Sequence, residues 1–238
     1  MKNKYLNSLA YLGVGGAHPG GFQLTKYILS KEEITNEKKI LDVGCGTGKT
    51  AAYIAKNFRC NVTALDVHPE MLKKARRRFT NQSLPINVVE GSVENVPFEQ
   101  EMFDIVLVES VIVFTDVTKT LAELKRILNH DGVLYAIEMV LESNSEQLSL
   151  NAIKDFYGVP EIFTEQEWEQ AFRNAGFTSI KIEKYEIDEA DFNLEQAPEF
   201  ELSNNENMDE YYAMLFDHQV LSETFKHKLG FRIFKCTL

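Results

Sequence analysis

Asp42, Gly44, Gly46 and Gly48 stand in the run Ile40-Leu41-Asp42-Val43-Gly44-Cys45-Gly46-Thr47-Gly48-Lys49-Thr50. Glycine has no side chain and tolerates unusual backbone angles, so glycines at alternate positions let main chain approach a ligand closely. A phosphate loop would need G-x-x-x-x-G-K-[ST]. Gly48-Lys49-Thr50 supplies its end, but Val43 occupies the place of its first glycine. A dinucleotide fingerprint needs G-x-G-x-x-G, and here the third glycine comes one residue early. Two further carboxylates have places suited to chemistry. Asp66 follows the glycines by about 20 residues, where an acid can accept both hydroxyls of a ribose; capping the helix that Pro69-Glu70 opens is the alternative. Glu109 closes the apolar run Phe103-Asp104-Ile105-Val106-Leu107-Val108. His18 lies in the loop Gly13-Val14-Gly15-Gly16-Ala17-His18-Pro19-Gly20-Gly21, placed there for acid–base work or for a structural hydrogen bond.

These groups need strands to deliver them. Ile40, Leu41 and Val43 read as the end of a buried strand, and Ala51, Ala52, Ile54 and Ala55 recur at helical spacing after it. Asn61 to Asp66 reads as a second strand, Ile86 to Glu90 as a third and Phe103 to Ser110 as a fourth, buried on both faces. In an open α/β sheet ligands sit beyond the carboxyl ends of such strands, where Asp66, Glu109 and Ser110 fall. Leu121, Leu124, Ile127 and Leu128 form a helix stripe that Asn129-His130-Asp131-Gly132 stops, and Val133 to Val140 is a fifth strand carrying Glu138 toward its end. Thr164-Glu165-Gln166-Glu167 is a capping box for a helix bearing Trp168, Ala171, Phe172 and Ala175, closed by Gly176. Alternation over Thr178 to Ile187 predicts a sixth strand.

An acid followed by G-x-G-x-G resembles motif I of the class I S-adenosylmethionine-dependent methyltransferases. Leu65-Asp66-Val67-His68-Pro69-Glu70-Met71-Leu72 is similar to that family's motif II. Gly91-Ser92-Val93-Glu94-Asn95-Val96-Pro97-Phe98 resembles its G-D-A-x-x-L-P-F segment, with Ser92 in place of the acid that bonds the adenine amine. A neutral serine accepts that bond more weakly than a carboxylate. Leu128-Asn129-His130-Asp131-Gly132-Val133-Leu134 is similar to its L-x-P-G-G-x-L turn, without the proline.

The resemblance implies a Rossmann-like, seven-stranded, mostly parallel sheet with helices on both faces and the last strand antiparallel, in one domain over residues 1–238. It implies S-adenosylmethionine as cofactor and S-adenosylhomocysteine as product. The cofactor would be held by Asp42, Gly44, Cys45, Gly46 and Gly48, by Asp66 and Val67, and by Ser92 and Val93, with Glu109 near the methyl-transfer centre. Residues 1–38 would be a helical arm or lid, since Tyr5, Leu6, Leu9 and Leu12, then Phe22, Leu24, Tyr27, Ile28 and Leu29, flank the glycine-rich loop at helical spacing. Tyr11, His18 and Tyr157 would face cofactor or acceptor, and His18 or Glu109 would take a proton if the nucleophile must lose one. Two other classes remain: a catalytically silent cofactor-binding protein of this fold, and a nucleotide- or dinucleotide-binding α/β enzyme.

Bulk properties narrow the acceptor. A net charge of −11 over 238 residues disfavours a nucleic-acid backbone. There is no [DNS]-P-P-[FYW] after the fourth strand and no Pro-Cys nucleophile, so a small molecule is the expected acceptor. The basic run Lys73-Lys74-Ala75-Arg76-Arg77-Arg78 reads as a solvated helix face. Cys45, Cys60 and Cys236 have no pairing logic, which fits a reduced, cytoplasmic setting. No metal-ligand spacing and no membrane-length apolar run stands out. Asp188 to Glu210 is dense in acid, Met208, Tyr211, Tyr212, Leu215 and Phe216 recur at helical spacing, and Gly230 to Cys236 reads as the seventh, antiparallel strand. Residues 188–229 are thus an acidic-helical insertion, expected to supply part of the substrate lid or the contacts of a homodimer.

Overall fold

The computed structural model describes residues 3–142, 147–186 and 199–238, with backbone alone for 147–149. Seven strands form one sheet in the order β3-β2-β1-β4-β5-β7-β6. They are β1 (Lys39–Val43), β2 (Asn61–Asp66), β3 (Asn87–Glu90), β4 (Phe103–Glu109), β5 (Leu128–Leu141), β6 (Ser179–Glu183) and β7 (Leu229–Thr237). Pairing is parallel from β3 through β5, and β7 lies antiparallel between β5 and β6. The expected seven-stranded sheet with its late antiparallel strand is therefore present.

Both faces of the sheet are buried. Leu41, Val43, Val106, Val108, Leu134 and Ala136 face one core, against Leu9 of α1 (Lys4–Leu12), Leu124 of α5 (Val117–Ile127), Ile153 of α6 (Gln147–Tyr157), and Trp168 and Phe172 of α7 (Glu165–Ala175). Ile40, Ile105, Leu107, Val133, Tyr135 and Ile137 face the other, against Ile28 of α2 (Gly21–Ser30), Ile54 of α3 (Lys49–Phe58) and Leu72 of α4 (Pro69–Asn81). Successive strand residues point to opposite faces, so a strand covered on both sides must be apolar at every position, as β4 nearly is.

The local signals act as read. Thr164 and Glu167 form the reciprocal capping box, and Gly176 ends α7 with a left-handed backbone. The turn before β5 differs. Strand pairing begins at Leu128 itself, opposite Phe103, and resumes with Val133 opposite Ile105, so Asn129 to Gly132 are an excursion within the strand rather than a separate loop. Strand β6 is shorter than its alternating pattern, because β7 pairs it only as far as Glu183.

The acidic insertion is described from Glu199 onward; its residues 188–198 lie outside the described part. Backbone bonds join Glu199–Ser203 to the arm: Gly15 donates to the Glu199 carbonyl at 3.0 Å, Glu201 to that of Leu12 at 3.0 Å and Ser203 to that of Tyr11 at 2.8 Å. The basic run is solvated at Lys73, Arg76 and Arg77, while Lys74 is buried and Arg78 half-buried against this segment. Arg78 pairs with Glu199 at 2.6 Å and Arg77 with Glu201 at 2.5 Å, while Lys74 donates to the Ser203 hydroxyl at 2.6 Å. Helix α8 (Met208–Thr224) then packs on α1. No helix among the described residues is long and apolar enough to cross a membrane.

Gly48 shows how tightly the glycine loop is seated. Its φ is +76°, and a Cβ there would come within 2.5 Å of the Phe79 ring of α4. A left-handed backbone costs an ordinary residue about 1–2 kcal/mol, and overpacking adds about 1–3. Gly48→Ala is expected to lower stability by about 2–4 kcal/mol, read as a lower denaturant midpoint with an unchanged slope; an unshifted midpoint refutes it.

Candidate functional site

A cavity of about 450 Å³ opens over the carboxyl ends of β1 to β4, within the range of ordinary small-molecule sites. The sheet order sets out its floor. The β3 loop with Ser92, Val93 and Glu94 lies at one flank, Asp66 and Val67 follow at the end of β2, the Asp42–Thr47 segment at β1 is central, and Glu109 to Thr115 after β4 form the other flank. Leu6, Leu9, Val14, Ala17 and His18 of the arm close it from above.

The glycine loop is shaped by Asp66. One of its carboxylate oxygens accepts the Gly46 N–H at 2.9 Å and the other the His68 N–H at 2.8 Å. Burial raises the Asp66 pKa, and those two backbone donors oppose the rise. The N-cap of α4 is His68, not Asp66, since the His68 ring accepts the Glu70 N–H at 3.2 Å. Gly44 must be glycine: its φ is +68°, and a Cβ would overlap a Val111 methyl at 2.3 Å. Val111 thus lies directly on the loop. Gly48 is on the far side, against Phe79, and does not line the cavity.

Asp42 is fully buried in the cavity wall, and its Oδ2 has no hydrogen-bond partner. Burial, with the nearby charge of Glu109 second, pushes its pKa well above the usual carboxylate range. Glu109 itself is thoroughly engaged. Thr25 donates to Oε1 at 2.6 Å, Thr50 donates to Oε2 at 2.9 Å, and His18 Nε2 lies 3.5 Å from Oε2. The His18 Nδ1 faces the Pro19 carbonyl at 3.1 Å, and its Nε2 also lies 3.2 Å from the Thr25 hydroxyl. The structure therefore joins the two residues named for proton transfer, with Thr25 of α2 and Thr50 of α3 as supports that the sequence pattern did not single out.

Other expectations fare differently. Tyr11 does not line the cavity; its ring stacks on Tyr211 of α8 at 5.0 Å and meets the His68 ring edge-on at 6.0 Å. Tyr157 is also off the wall. It is buried, its hydroxyl lies 2.9 Å from His218 Nδ1, and its ring packs on Tyr5 at 5.0 Å. Both aromatics fasten the arm to α8 and α6, which places them one layer behind the cavity. Glu138 likewise does not face the cavity. It is completely buried and accepts the N–H groups of Val111, Ile112 and Val113 at 3.1, 2.8 and 3.3 Å. Ser92 lines the cavity, but its hydroxyl accepts the Glu94 N–H at 3.2 Å, and Glu94 itself reaches the wall. Glu94 was legible as an acid two residues past Ser92, and its reach depends on the turn that this bond makes.

The wall has a distinct charge. It holds Asp42, Asp66, Glu94 and Glu109 against Lys49 as its one lysine or arginine among the described residues. Lys49 is paired with Glu199 at 3.3 Å and lies 4.8 Å from the Phe22 ring centre. Such a wall favours a cationic ligand and repels polyanions such as nucleotide phosphates.

Known proteins are similar to this chain in sequence and fold. A family model described as a methyltransferase domain matches residues 41–136. The chain is 37% identical over 233 residues to the methyltransferase YodH of Bacillus subtilis (strain 168), covering 98% of each chain. It is 32% identical over 152 residues to the demethylmenaquinone methyltransferase of Chlorobaculum tepidum, covering 63% of this chain and 60% of that one. Its fold is similar to that of phosphoethanolamine N-methyltransferase 2 of Haemonchus contortus, with a TM-score of 0.77 at 17% identity over 98% of this chain and 56% of that one.

Proposed function

The chain belongs to the class I S-adenosylmethionine-dependent methyltransferases, and from that premise we propose that it transfers a methyl group from S-adenosylmethionine to a small-molecule acceptor, in line. The observation that carries the reading is the Asp66 carboxylate gripping Gly46 on the floor of an acidic cavity. The residues present suit this cofactor, which is a cation. The unpartnered Asp42 Oδ2 is a ready acceptor for an ammonium group. Asp66 offers its remaining lone pairs to vicinal hydroxyls, and Ser92, Val93 and Glu94 form the adenine end. When bound, the cofactor supplies an electrophilic methyl on a sulfonium, so the protein's task is alignment and exclusion of water.

The arm does the excluding, with Leu6, Leu9 and Val14 over the cavity. His18 is the group that receives a proton from a hydroxyl or amine nucleophile. Its Nδ1 faces the Pro19 carbonyl, and a proton held on Nε2 is shared with the Thr25 hydroxyl at 3.2 Å and lies 3.5 Å from the Glu109 carboxylate, which stabilises that charge.

Calorimetric titration tests the reading. S-adenosylmethionine and S-adenosylhomocysteine are expected to bind and ATP and NAD are not. Asp66→Ala should weaken both ligands about ten- to hundredfold, the loss of roughly 1.4–2.8 kcal/mol of charge-assisted bonding. Binding of ATP or NAD in their place overturns it.

A further inference from the structure

Ser110 combines three properties. Four non-glycine residues among those described have a left-handed backbone, Arg59, Ser83, Glu101 and Ser110, and of these Ser110 alone lines the cavity. Its φ is +58°, a conformation costly for a side chain other than glycine, asparagine or aspartate. Its N–H is fixed on the Ile137 carbonyl at 2.8 Å, yet its hydroxyl has no hydrogen-bond partner among the described residues. Backbone strain held at a ligand site marks a residue whose direction matters.

The flank of the cavity that holds Ser110 mixes Glu109 and Thr115 with apolar side chains. Val111 and Phe114 follow it in the turn after β4, and α1 brings Leu6 and Leu9 alongside, with Tyr5 of the same helix packed on Phe114 at 6.4 Å. This flank lies across β1 from the adenine end, so it is the part of the cavity left to the acceptor. No lysine or arginine reaches it; Lys49, the one such residue on the wall among those described, belongs to the glycine loop and α3. A phosphate, sulfonate or carboxylate on the acceptor would find no cation here and would lie near Glu109.

Building on the methyl-transfer reading, we infer that Ser110 is the acceptor-binding hydroxyl and that the acceptor is a molecule without anionic groups, with an apolar body and one hydroxyl or amine group. Ser110 exchanges a hydrogen bond with that group and so sets the nucleophile's position, while Leu6, Leu9, Val111 and Phe114 take up the apolar body.

Three naphthyl probes separate these features: 2-naphthol, naphthalene and naphthalene-2-sulfonate, each titrated into the full chain saturated with S-adenosylhomocysteine. For the wild type, 2-naphthol should bind about tenfold more tightly than either other probe, the effect of one hydrogen bond. Ser110→Ala should bring 2-naphthol to within about twofold of naphthalene without weakening S-adenosylhomocysteine. Ser110→Gly should do the same while raising the melting temperature, because glycine relieves the strained backbone. If Ser110 only shapes the turn, Ser110→Gly keeps the preference for 2-naphthol, and the inference is overturned. Equal or tighter binding of the sulfonate, or no binding of 2-naphthol, overturns it too. Failure of the methyl-transfer reading is distinct, since it appears as absent S-adenosylhomocysteine binding before any probe is added.

Discussion

Glu138→Ala is expected to cost about 3–5 kcal/mol of stability, because it strands three buried N–H donors and leaves a hole at the end of β5. The carboxyl group is wholly buried and holds the successive N–H groups of Val111, Ile112 and Val113, the start of the 3-10 turn at Ile112–Phe114. Burial raises its pKa to about 8, against the pull of those three donors.

The pH dependence follows. An unfolded glutamate ionises near its ordinary value of 4.5, whereas this one keeps its proton in the folded chain up to about 8. Its contribution to stability is therefore full below 4.5 and is lost progressively as pH rises to about 8. Glu138→Gln keeps a neutral side chain with its oxygen in the place of Oε1 for Val111 and Ile112, at the loss of the longer bond from the Val113 N–H, which its amide nitrogen cannot accept. Denaturant unfolding between about pH 5 and 9 should show the glutamine variant within about 1 kcal/mol of the wild type at the acid end and closing that gap as pH rises. A wild type that gains stability over this window, or an alanine variant within about 1 kcal/mol of it, would refute the assignment. The same turn carries Ser110, Val111 and Phe114, so Glu138 holds one wall of the cavity without touching a ligand.

What the sequence made legible was local. The places of Gly44, Gly46 and Asp66 in the cavity wall could be read because they depend on one strand, its turn and the next strand, elements set by short-range periodicity and backbone freedom. The two cores could be read because β4 is apolar at nearly every position. Tyr11 and Tyr157 were not placed correctly, because their partners Tyr211 and His218 lie in α8, about 200 and 61 residues away in the chain, and no pattern announces such a meeting. The basic run on α4 was read only in part, for the same reason: Lys73, Arg76 and Arg77 are exposed, but Lys74 is buried and Arg78 half-buried. Its charges look solvated until Glu199 and Glu201 are brought against them. Glu138 reads as a pocket acid from its strand position, but the β4 turn intercepts it first. Thr25 and Thr50 carry no signal of their own, since a threonine in a helix is ordinary until a buried carboxylate needs donors.

That carboxylate is the second point of large expected effect. Glu109 ties together the arm, through His18 and Thr25, the helix after the glycine loop, through Thr50, and the end of β4. Its side chain is only 8% exposed, so removing it takes the acceptor from the Thr25 and Thr50 hydroxyls and the carboxylate from beside His18, leaving a hole in the cavity wall. Breaking a buried, hydrogen-bonded charge in this way costs about 3–5 kcal/mol. Glu109→Ala is expected to lose that stability and also to weaken S-adenosylhomocysteine at least about tenfold, because the arm is released from the cavity it covers. Glu109→Gln separates support from charge. The amide oxygen still accepts from Thr25, and a threonine hydroxyl can turn to accept from the amide nitrogen, so most of the stability and product affinity should survive. What it removes is the negative charge facing His18 Nε2, so methylation of a hydroxyl acceptor should fall while product affinity holds. Glu109→Ala with unchanged S-adenosylhomocysteine affinity would show that the arm does not depend on this carboxylate, and full activity in Glu109→Gln would remove the charge from the proposed proton transfer.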